Sequence, residues 1–471
     1  MIRKILAGGA LLLILTQCSM APEYSRPAAP VPDAWPQDST YAEPAAGPEE
    51  PPAADLPWHE FIADGRLRQV VAMALANNRD LRLAALNVER ARAFYRIQRA
   101  ELLPALDAVG SAYKERIPAD LSRDRRAMTA EQYNVDLGIT AWEIDFFGRI
   151  RSLSRSALEE YFATEYARRS ARILLISEVT NAYLTLAADR ENLDLARATL
   201  ESQLAALKLI RRRFEVGLAQ ELELRQVQTR VESARVDVAR YTLLVAQDQN
   251  ALNLLAGTPV PPDLTSIALD TIEPLRRISA GASSEVLLRR PDIQRAESLL
   301  KAAYANIGAA RAALFPRISL TTSIGTASSE LSGLFDSGSG TWLFAPQVAV
   351  PVFDPRAWAA LRVTKVDREI ALTRYEGAIQ TAFREVADTL AQSGTLGEQI
   401  AAQQALVEAA AGAYRISNLR YTKGTDIYLN VLDAQRSLYA AQQGLIAIRL
   451  ADLANQVRFY TVLGGGSAAA E

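Results

Sequence analysis

The sequence has little of the chemistry on which most enzymes and metal sites depend. Its 471 residues include one cysteine, one histidine and four methionines. A single cysteine excludes an internal disulfide framework and a zinc site built on several thiolates, and the scarcity of Met and His argues against a soft-metal relay. A net charge of −2 gives no indication of a nucleic-acid partner. No Ser-His-Asp, Cys-His or phosphate-binding glycine pattern is present, so no enzyme is predicted, and His59 beside Trp58 is interpreted as structural.

The first residues have the order of a secretory signal. Two basic residues precede an apolar run over 5–16, which is shorter than the ~20 residues that a membrane-spanning helix needs. The run ends at Cys18, and a sole cysteine at this point resembles a bacterial lipoprotein box, although Gln17 stands where a smaller residue is usual. We predict a signal peptide over 1–17 and a covalent lipid on Cys18 as the only bound group. A chance cysteine beside an ordinary cleavage site is the alternative.

Proline is concentrated directly after this cysteine. Ten of the 21 prolines fall within residues 19–57, a density that prevents a helix and favours an extended, semi-rigid chain. Residues 18–63 are therefore predicted to form a lipid-anchored tether that holds the folded body beside a membrane. Ser19 follows the cysteine instead of the Asp that is typical of inner-membrane retention, so sorting to the outer membrane is favoured.

The rest of the chain repeats itself. Seven residues of the first half recur 207 positions later, namely Glu178, Val179, Arg213, Gly217, Leu222, Gln228 and Gly257. Fixed spacing of this kind indicates a duplicated structural unit. We assign repeat 1 to residues 64–257 and repeat 2 to 285–464, with a linker over 258–284 and a C-terminal tail over 465–471.

Very long helices dominate each repeat. Residues 149–216 contain neither Gly nor Pro, nor do residues 218–256, and a helix over the first range would be ~100 Å long. Repeat 2 has no proline after Pro355. Gly217 and Gly424 are predicted to end the long helices in left-handed caps that turn the chain into hairpins. These helices alone would also suit a plain antiparallel coiled coil in an adaptor or scaffold.

A shorter helix and a non-helical insert precede each long helix. The shorter helices are predicted over 64–103 and 285–315, and the inserts, interpreted as β-hairpins, over 105–147 and 317–353. Indels between repeats belong in such inserts because loops tolerate them.

The inserts alternate in polarity as β-strands do. Apolar and polar residues alternate strictly over 133–141, the pattern recurs over 318–325 and 342–352, and 106–113 is a weaker case. Alternating segments of about ten residues with terminal aromatics are typical of transmembrane barrel strands, and a small soluble sheet with one wet face is the alternative. Four strands cannot close a barrel, which needs about eight, and open edges are excluded from lipid. Several chains would therefore share one barrel, and three would supply twelve strands.

Four strings of the sequence resemble one protein family, the bacterial outer membrane factors. These are the TolC-like exit ducts of efflux pumps, and the similarity is to the lipoprotein branch that serves resistance-nodulation-division pumps. The strings are CSMAPEYSRP from Cys18, WEIDFFGR from Trp142, LLRRPDI from Leu287 and GTDIYLNVLDAQR from Gly424. The resemblance covers nearly the whole chain after the signal peptide.

This resemblance implies a mainly α-helical fold with membrane β-strands. A homotrimer would share a twelve-stranded outer-membrane β-barrel above a periplasmic α-helical tunnel, with an equatorial region near 258–284. The turns at Gly217 and Gly424 would lie at the periplasmic tip, which the family keeps closed at rest. The implied partners are outer-membrane lipid, a periplasmic membrane-fusion adaptor and an inner-membrane pump of the resistance-nodulation-division type.

The resemblance also implies which residues line the tip aperture. They are Glu223, Tyr421, Asp426 and Asp433. Three copies of one carboxylate in a ring would repel one another and attract cations. For Glu223 and Asp433 an ordinary solvated helix face is the alternative.

The expected function is passive conduction of drugs or other small toxic compounds from periplasm to exterior, through a tip that opens on docking to adaptor and pump. Two alternatives stay open. The same duct could serve protein secretion or metal export, or the chain could be a lipid-anchored periplasmic scaffold without a pore.

Overall fold

The computed structural model describes most of the chain. The described residues are 20–36, 38, 40–41, 53–265, 268–281 and 283–467. The predicted signal peptide and the predicted lipidation site, Cys18, lie outside the described residues.

Eight α-helices and four β-strands form the described part of the chain. The helices are α1 (Trp58–Phe61), α2 (Gly65–Asn77), α3 (Arg79–Ala100), α4 (Arg149–Glu215), α5 (Glu221–Ala256), α6 (Pro291–Ala312), α7 (Pro355–Thr422) and α8 (Tyr428–Val462). The strands are β1 (Asp107–Ile117), β2 (Met128–Glu143), β3 (Arg317–Ser328) and β4 (Gly340–Ala349). Short 3₁₀ segments lie at Ala53–Asp55, Pro262–Leu264, Leu269–Thr271, Ser284–Arg289 and Leu331–Gly333. Across the described ranges, no helix combines the length and the apolar character that crossing a membrane requires.

The very long helices are present in both repeats. Helix α4 has 67 residues and α7 has 68, followed by α5 with 36 and α8 with 35. Helix α7 is continuous although it contains Gly377, Gly394, Gly397 and Gly412. Each interior glycine costs only ~1 kcal/mol relative to Ala, which the surrounding helix formers and packed neighbours offset.

The predicted left-handed caps end α4 and α7. Gly217 has φ 76° and Gly424 has φ 73°, a region in which only glycine is free of strain. Gly217 N–H donates to the carbonyl of Phe214 and Leu218 N–H to that of Arg213. The second turn has the same pair of bonds three and five residues back, so both helices end in a Schellman motif.

The prediction of one helix over 64–103 is wrong, because the structure has two helices there, α2 and α3. Asn78 has an extended backbone, and its side-chain oxygen accepts bonds of 2.9 Å from the N–H groups of Asp80 and Leu81. Asparagine in this position caps a helix start, so α3 begins anew at Arg79. The second short helix likewise begins at Pro291, where a missing N–H costs nothing, and not at 285.

The strands form one antiparallel sheet in the order β1-β2-β3-β4. All four predicted strands are present, but β2 is longer than the predicted 133–141. Its polar start pairs with the end of β1, where Ile117 lies opposite Met128 and Arg116 opposite Thr129. Backbone pairing therefore extends the hairpin beyond its apolar alternation.

The register confirms that the predicted apolar positions share one face of the sheet. Leu137 lies opposite Ile324, which lies opposite Trp342, and directly opposed residues point to the same side. This apolar face consists of Val135, Leu137, Ile324, Trp342, Phe344 and Val348, which are between 39% and 78% exposed. The other face carries residues such as Asn134, Asp136, Ser323 and Gln347.

A β-bulge in β2 keeps a late tryptophan on the apolar face. Ile139 pairs with Thr322, but Trp142 pairs with Leu320, so β2 has one extra residue. Ala141, predicted as part of the regular alternation, has φ 51° and donates its N–H to the Thr321 hydroxyl. Because of this extra residue, Trp142 points to the same face of the sheet as Ile139.

The chain divides into two compact units. One comprises residues up to Ala28, Asn87–Thr164 and Arg295–Tyr375, and contains the sheet. The other comprises Ala29–Leu86, Glu165–Gln294 and Glu376–Glu471, and contains both glycine turns.

In the first unit, the start of the described chain is docked and is not the free tether that its prolines suggest. Residues 20–28, here called the N-terminal segment, contact α6. The Tyr24 hydroxyl donates to Glu297 at 3.0 Å, and Arg26 donates two bonds to the same carboxylate at 3.0 and 3.1 Å. The Glu297 side chain is only 7% exposed and also pairs with Lys301. Residues 20–28 are non-helical, as predicted for this stretch, but Tyr24 and Arg26 have fixed partners on α6.

In the second unit, the arginine pair of the LLRRPDI string has two different environments. Arg290 is 8% exposed and donates to Asp292, to Glu385 at 2.9 Å and to the carbonyl of Val462 at 2.8 Å. Arg289 is exposed, and its guanidinium pairs with Asp55 at 3.4 Å. Arg290 therefore joins the start of α6 to α7 and α8.

Candidate functional site

The two glycine turns and the helix ends around them form the candidate site. Six buried side chains from all four long helices pack there, and we call them the turn cluster: Ile210, Val227, Tyr421, Tyr428, Val431 and Leu432. The rings of Tyr421 and Tyr428 lie 4.9 Å apart. Burial of these apolar groups holds the two hairpins together at their turns.

Tyr421 connects the two repeats through its hydroxyl. Arg213, near the end of α4, donates to this hydroxyl at 2.6 Å, and the hydroxyl donates to Glu223 of α5 at 3.0 Å. Burial, the hydrogen bond to Glu223 and the charge of that carboxylate raise the pKa of Tyr421 to about 12. The phenol therefore stays neutral at physiological pH, and its hydroxyl bridges the Arg213 guanidinium and the Glu223 carboxylate through hydrogen bonds.

Asp426 has local partners within its own turn. Its carboxylate accepts bonds from the Ile427 N–H at 2.8 Å, the Asn430 amide at 2.6 Å and Arg420 at 3.1 Å. The backbone and Asn430 bonds lower the pKa of Asp426, and Arg420 adds to the effect. Asp426 is thus held within the turn that precedes α8 and is paired with Arg420.

Asp433 is the most open of the four predicted aperture residues. Its side chain is 54% exposed and lies 3.3 Å from Arg436 in an i,i+3 pair. Such exposed pairs contribute only ~0–1 kcal/mol. The structure therefore brings Glu223 and Tyr421 into contact, ties Asp426 to its own turn and leaves Asp433 on the exposed side of α8.

The sequence identifies Arg213 and Arg420 only as a repeated pair and assigns neither to this site. Arg213 and Arg420 are equivalent positions 207 residues apart and both lie four residues before a turn glycine. Arg213 bonds across to Tyr421, whereas Arg420 bonds to Asp426 in its own turn. The repeat spacing could have identified both arginines, but not that they differ in partner, because Phe214 replaces the tyrosine in repeat 1.

No metal-binding arrangement accompanies the site. Over the residues that the structure describes, no group of three or more His, Cys, Asp or Glu side chains is arranged to hold a metal ion. The site consists of charged and hydrogen-bonded side chains at the two glycine turns.

Comparison with known proteins gives a family match over both repeats. A family model described as "Outer membrane efflux protein" matches residues 70–258 and 282–465. The chain is 46% identical over 468 residues to a probable efflux pump outer membrane protein, TtgC, of Pseudomonas putida, covering 99% of this chain and 96% of that protein. It is 44% identical over 468 residues to the outer membrane protein OprJ of Pseudomonas aeruginosa, covering 97% and 95%.

Solved structures share the fold. The open state of the MtrE outer membrane channel of Neisseria gonorrhoeae matches with a TM-score of 0.86 and 36% identity, covering 95% of this chain and 98% of that one. The CmeC outer membrane channel of Campylobacter jejuni matches with a TM-score of 0.87 and 26% identity, covering 95% of each.

Proposed function

Because the chain belongs to the outer membrane efflux protein family, we propose that it forms a homotrimeric, passive exit channel of a tripartite efflux system. It is an outer-membrane efflux component that extends into the periplasm, and it is not an enzyme. Its fold is that of the outer-membrane channels, mainly helical with one four-stranded antiparallel sheet. In the proposal, an inner-membrane pump of the resistance-nodulation-division type supplies the energy and a periplasmic adaptor joins the two.

The observation that carries the proposal is the sheet. Its apolar face is exposed along three strands, and β1 and β4 are open edges of a four-stranded order. Contiguous exposed apolar surface of this kind needs a cover, and lipid excludes unpaired edges. Three copies pairing β4 of one with β1 of the next would close twelve strands with the apolar face outward.

We propose that the turn cluster keeps the periplasmic tip closed at rest. The Arg213–Tyr421–Glu223 chain joins the two hairpins of one protomer, and the Arg420–Asp426 pair fixes the second turn. Asp433, being exposed, supports the role of a carboxylate that faces the aperture. Docking of the adaptor would separate these hairpins and widen the tip.

The cargo is proposed from the relatives. Several Pseudomonas putida proteins that are 46–47% identical to this chain are named as toluene, solvent or antibiotic efflux pump components. Small apolar or amphipathic toxic compounds are therefore the proposed cargo. Anchoring by a lipid on Cys18 is part of the same proposal and follows from the sole cysteine after the apolar run.

Conduction and assembly are tested together on the full-length chain. After purification from outer membranes, the chain is expected to be a trimer by native mass spectrometry and to stay trimeric after heating in detergent. It is also expected to give single-channel currents in planar bilayers. A strain lacking the gene should accumulate a fluorescent drug and recover export when the chain is supplied. Trimers without currents would favour a scaffold, and recovery of protein secretion or metal export without drug export would favour those alternatives.

The gate is tested by removing the carboxylates singly. Asp433→Ala is expected to reduce cation preference in bilayers, whereas Asp426→Ala is expected to loosen the turn and raise the open fraction. Lys423→Ala, an exposed change in the same turn, serves as the control. Unchanged conductance and ion preference in both aspartate variants would contradict a gating role.

A further inference from the structure

The two repeats differ at one position of their long hairpins, within the second unit. In repeat 1, Arg190 of α4 donates to the side-chain oxygen of Gln249 on α5 at 3.4 Å and to the hydroxyl of Thr265 at 3.2 Å. The positions 207 residues after this arginine and glutamine are Gly397 on α7 and Gln456 on α8. Repeat 2 therefore keeps the glutamine but has no side chain where repeat 1 has a guanidinium.

A cavity of the second unit is open at this glycine. Its volume is about 290 Å³, and both Gly397 and Gln456 line it. A Cβ on Gly397 would meet no atom within 4 Å, so the glycine leaves space that a side chain could occupy. The volume is just below the ~300–1,000 Å³ of drug-sized ligand pockets and suits a ligand the size of one side chain. The apolar walls are Phe61, Ile278, Ile400 and Phe459.

The cavity also has a charge that repeat 1 lacks. Asp452 lines it, whereas the counterpart of Asp452 in repeat 1 is Val245. The Asp452 carboxylate is partly buried and accepts a bond from the Gln456 amide at 3.0 Å. Burial raises the pKa of Asp452 by more than this bond and the charge of Arg277 lower it. Repeat 2 has thus lost a cation and gained a carboxylate at the same place.

Two arginines of the linker stand at the rim of the cavity. Arg276 pairs with Glu60 at 3.1 Å, and its backbone N–H donates to the carbonyl of Phe61 at 2.9 Å. Arg276 therefore has a carboxylate of its own. Arg277 is exposed and is the cation with which a positively charged ligand would compete for Asp452.

We propose that this cavity is a binding site for a small guanidinium compound, with Asp452 as its anionic partner. Repeat 1 supplies the template, because Gln249 accepts from the Arg190 guanidinium and the oxygen of the Gln456 amide would accept in the same way. A guanidinium is planar, and its donors match the two oxygens of a carboxylate. The ring of Phe459 gives it an aromatic face on which to stack.

A bound compound would have the role in repeat 2 that the Arg190 side chain has in repeat 1. Arg190 joins α4 to α5 and to Thr265, which lies in the linker. A ligand held between the α7–α8 hairpin and residues 276–278 of the linker makes the corresponding connection, but one that can be occupied or empty. Because it binds the folded chain, the compound stabilises the second unit by mass action. This site is separate from the glycine turns and does not depend on conduction.

The test is calorimetric titration of the full-length chain in detergent with Nα-acetyl-arginine amide, whose only charge is its guanidinium. Nα-acetyl-citrulline amide has a neutral urea group of nearly the same shape and is the control compound. The arginine compound is expected to bind, and the citrulline compound to bind about tenfold or more weakly, because it offers no charge to Asp452. No binding of the arginine compound, or equal binding of both, would overturn the inference.

A matched pair of substitutions in α7 shows whether binding is at this cavity. Gly397→Arg supplies a guanidinium from the chain itself and is expected to abolish binding. Gly412→Arg places the same side chain on the same helix, at a glycine that also has no atom within 4 Å of a built Cβ but does not line the cavity, and should bind as the natural chain does. Equal binding by these two variants would overturn the inference.

A third variant tests the carboxylate without filling the cavity. Asp452→Asn keeps the shape of the side chain and is expected to weaken binding of the arginine compound about tenfold or more. Circular dichroism checks that the variants keep the helix content of the natural chain. Undiminished binding in Asp452→Asn would contradict the role of Asp452 and overturn the inference.

Discussion

An arginine at the centre of β4 would distinguish the two faces of the sheet. Phe344 lies on the apolar face opposite Thr322, and its neighbour Ala345 lies on the other face opposite Thr321. Phe344→Arg and Ala345→Arg therefore place the same charge one residue apart, on opposite sides of one strand. If the apolar face contacts lipid, only the first charge enters hydrocarbon.

The size of the difference follows from the exposure of Phe344. Its side chain is 62% exposed in the isolated chain, so losing its burial against lipid costs ~1–2 kcal/mol of the ~1.5–3 kcal/mol for full burial. An arginine at the bilayer midplane adds ~2–4 kcal/mol. Phe344→Arg should thus lower the free energy of unfolding in bilayers by ~3–6 kcal/mol per chain, and Ala345→Arg by less than ~1 kcal/mol.

The assay is equilibrium folding from urea into phospholipid vesicles, followed by tryptophan fluorescence and by the mobility of unheated samples on SDS gels. The difference of at least ~2 kcal/mol corresponds to more than a tenfold change in the folding equilibrium. Equal losses in the two variants, or a greater loss in Ala345→Arg, would refute the assignment of the apolar face to lipid.

Three further predictions concern the second unit; the two that compare stabilities use urea titration followed by circular dichroism. Tyr421→Phe should lower the free energy of unfolding by ~1–3 kcal/mol, because it leaves Arg213 and Glu223 without their buried partner. Asp433→Asn should lower it by only ~0–1 kcal/mol. A greater loss in Asp433→Asn than in Tyr421→Phe would contradict the role of Tyr421. The pKa of Tyr421, raised to about 12 from ~10, means that its contribution to stability is complete below pH ~10 and is lost between pH ~10 and ~12. Tyrosinate absorbance should then show one late-titrating group fewer in Tyr421→Phe, and an unchanged titration would exclude this shift. Arg290→Lys should lower the free energy of unfolding by ~1–3 kcal/mol, because lysine cannot keep all of the buried bonds that Arg290 makes. The exposed Arg289→Lys should lower it by ~0–1 kcal/mol. Equal losses would show that the buried contacts of Arg290 contribute little.

Local rules were sufficient for the long helices and their turns. The absence of Gly and Pro over 149–216 predicts α4 to within one residue, and the caps at Gly217 and Gly424 follow from chain chirality alone. The break at Asn78 escaped prediction because helix propensity on both sides is high and a single side chain decides it.

The strands were predicted by face but not by extent. Alternation identifies which residues share a side, and the register of Leu137 with Ile324 agrees. It does not show that the polar start of β2 continues to pair, or that Ala141 shifts the alternation by one. Both depend on hydrogen bonds to another strand, which periodicity within one strand cannot reveal.

The candidate site could be predicted only as a region. The turns were located from two glycines, but the bond between Tyr421 and Glu223 joins residues 198 positions apart. The same applies to the N-terminal segment, whose prolines indicate an extended chain, while its docking depends on Glu297, 271 residues from Arg26. Contacts at such separations arise from the packing of the whole unit.

The open edges of β1 and β4 also bear on how the chain matures. Before any partner strand arrives, each newly made chain has two rows of unpaired backbone groups next to an uncovered apolar face. Edges of this kind are templates for pairing with any extended segment. The surfaces suited to a shared barrel are thus an aggregation hazard in water, and productive assembly depends on how soon correct neighbours and lipid cover them.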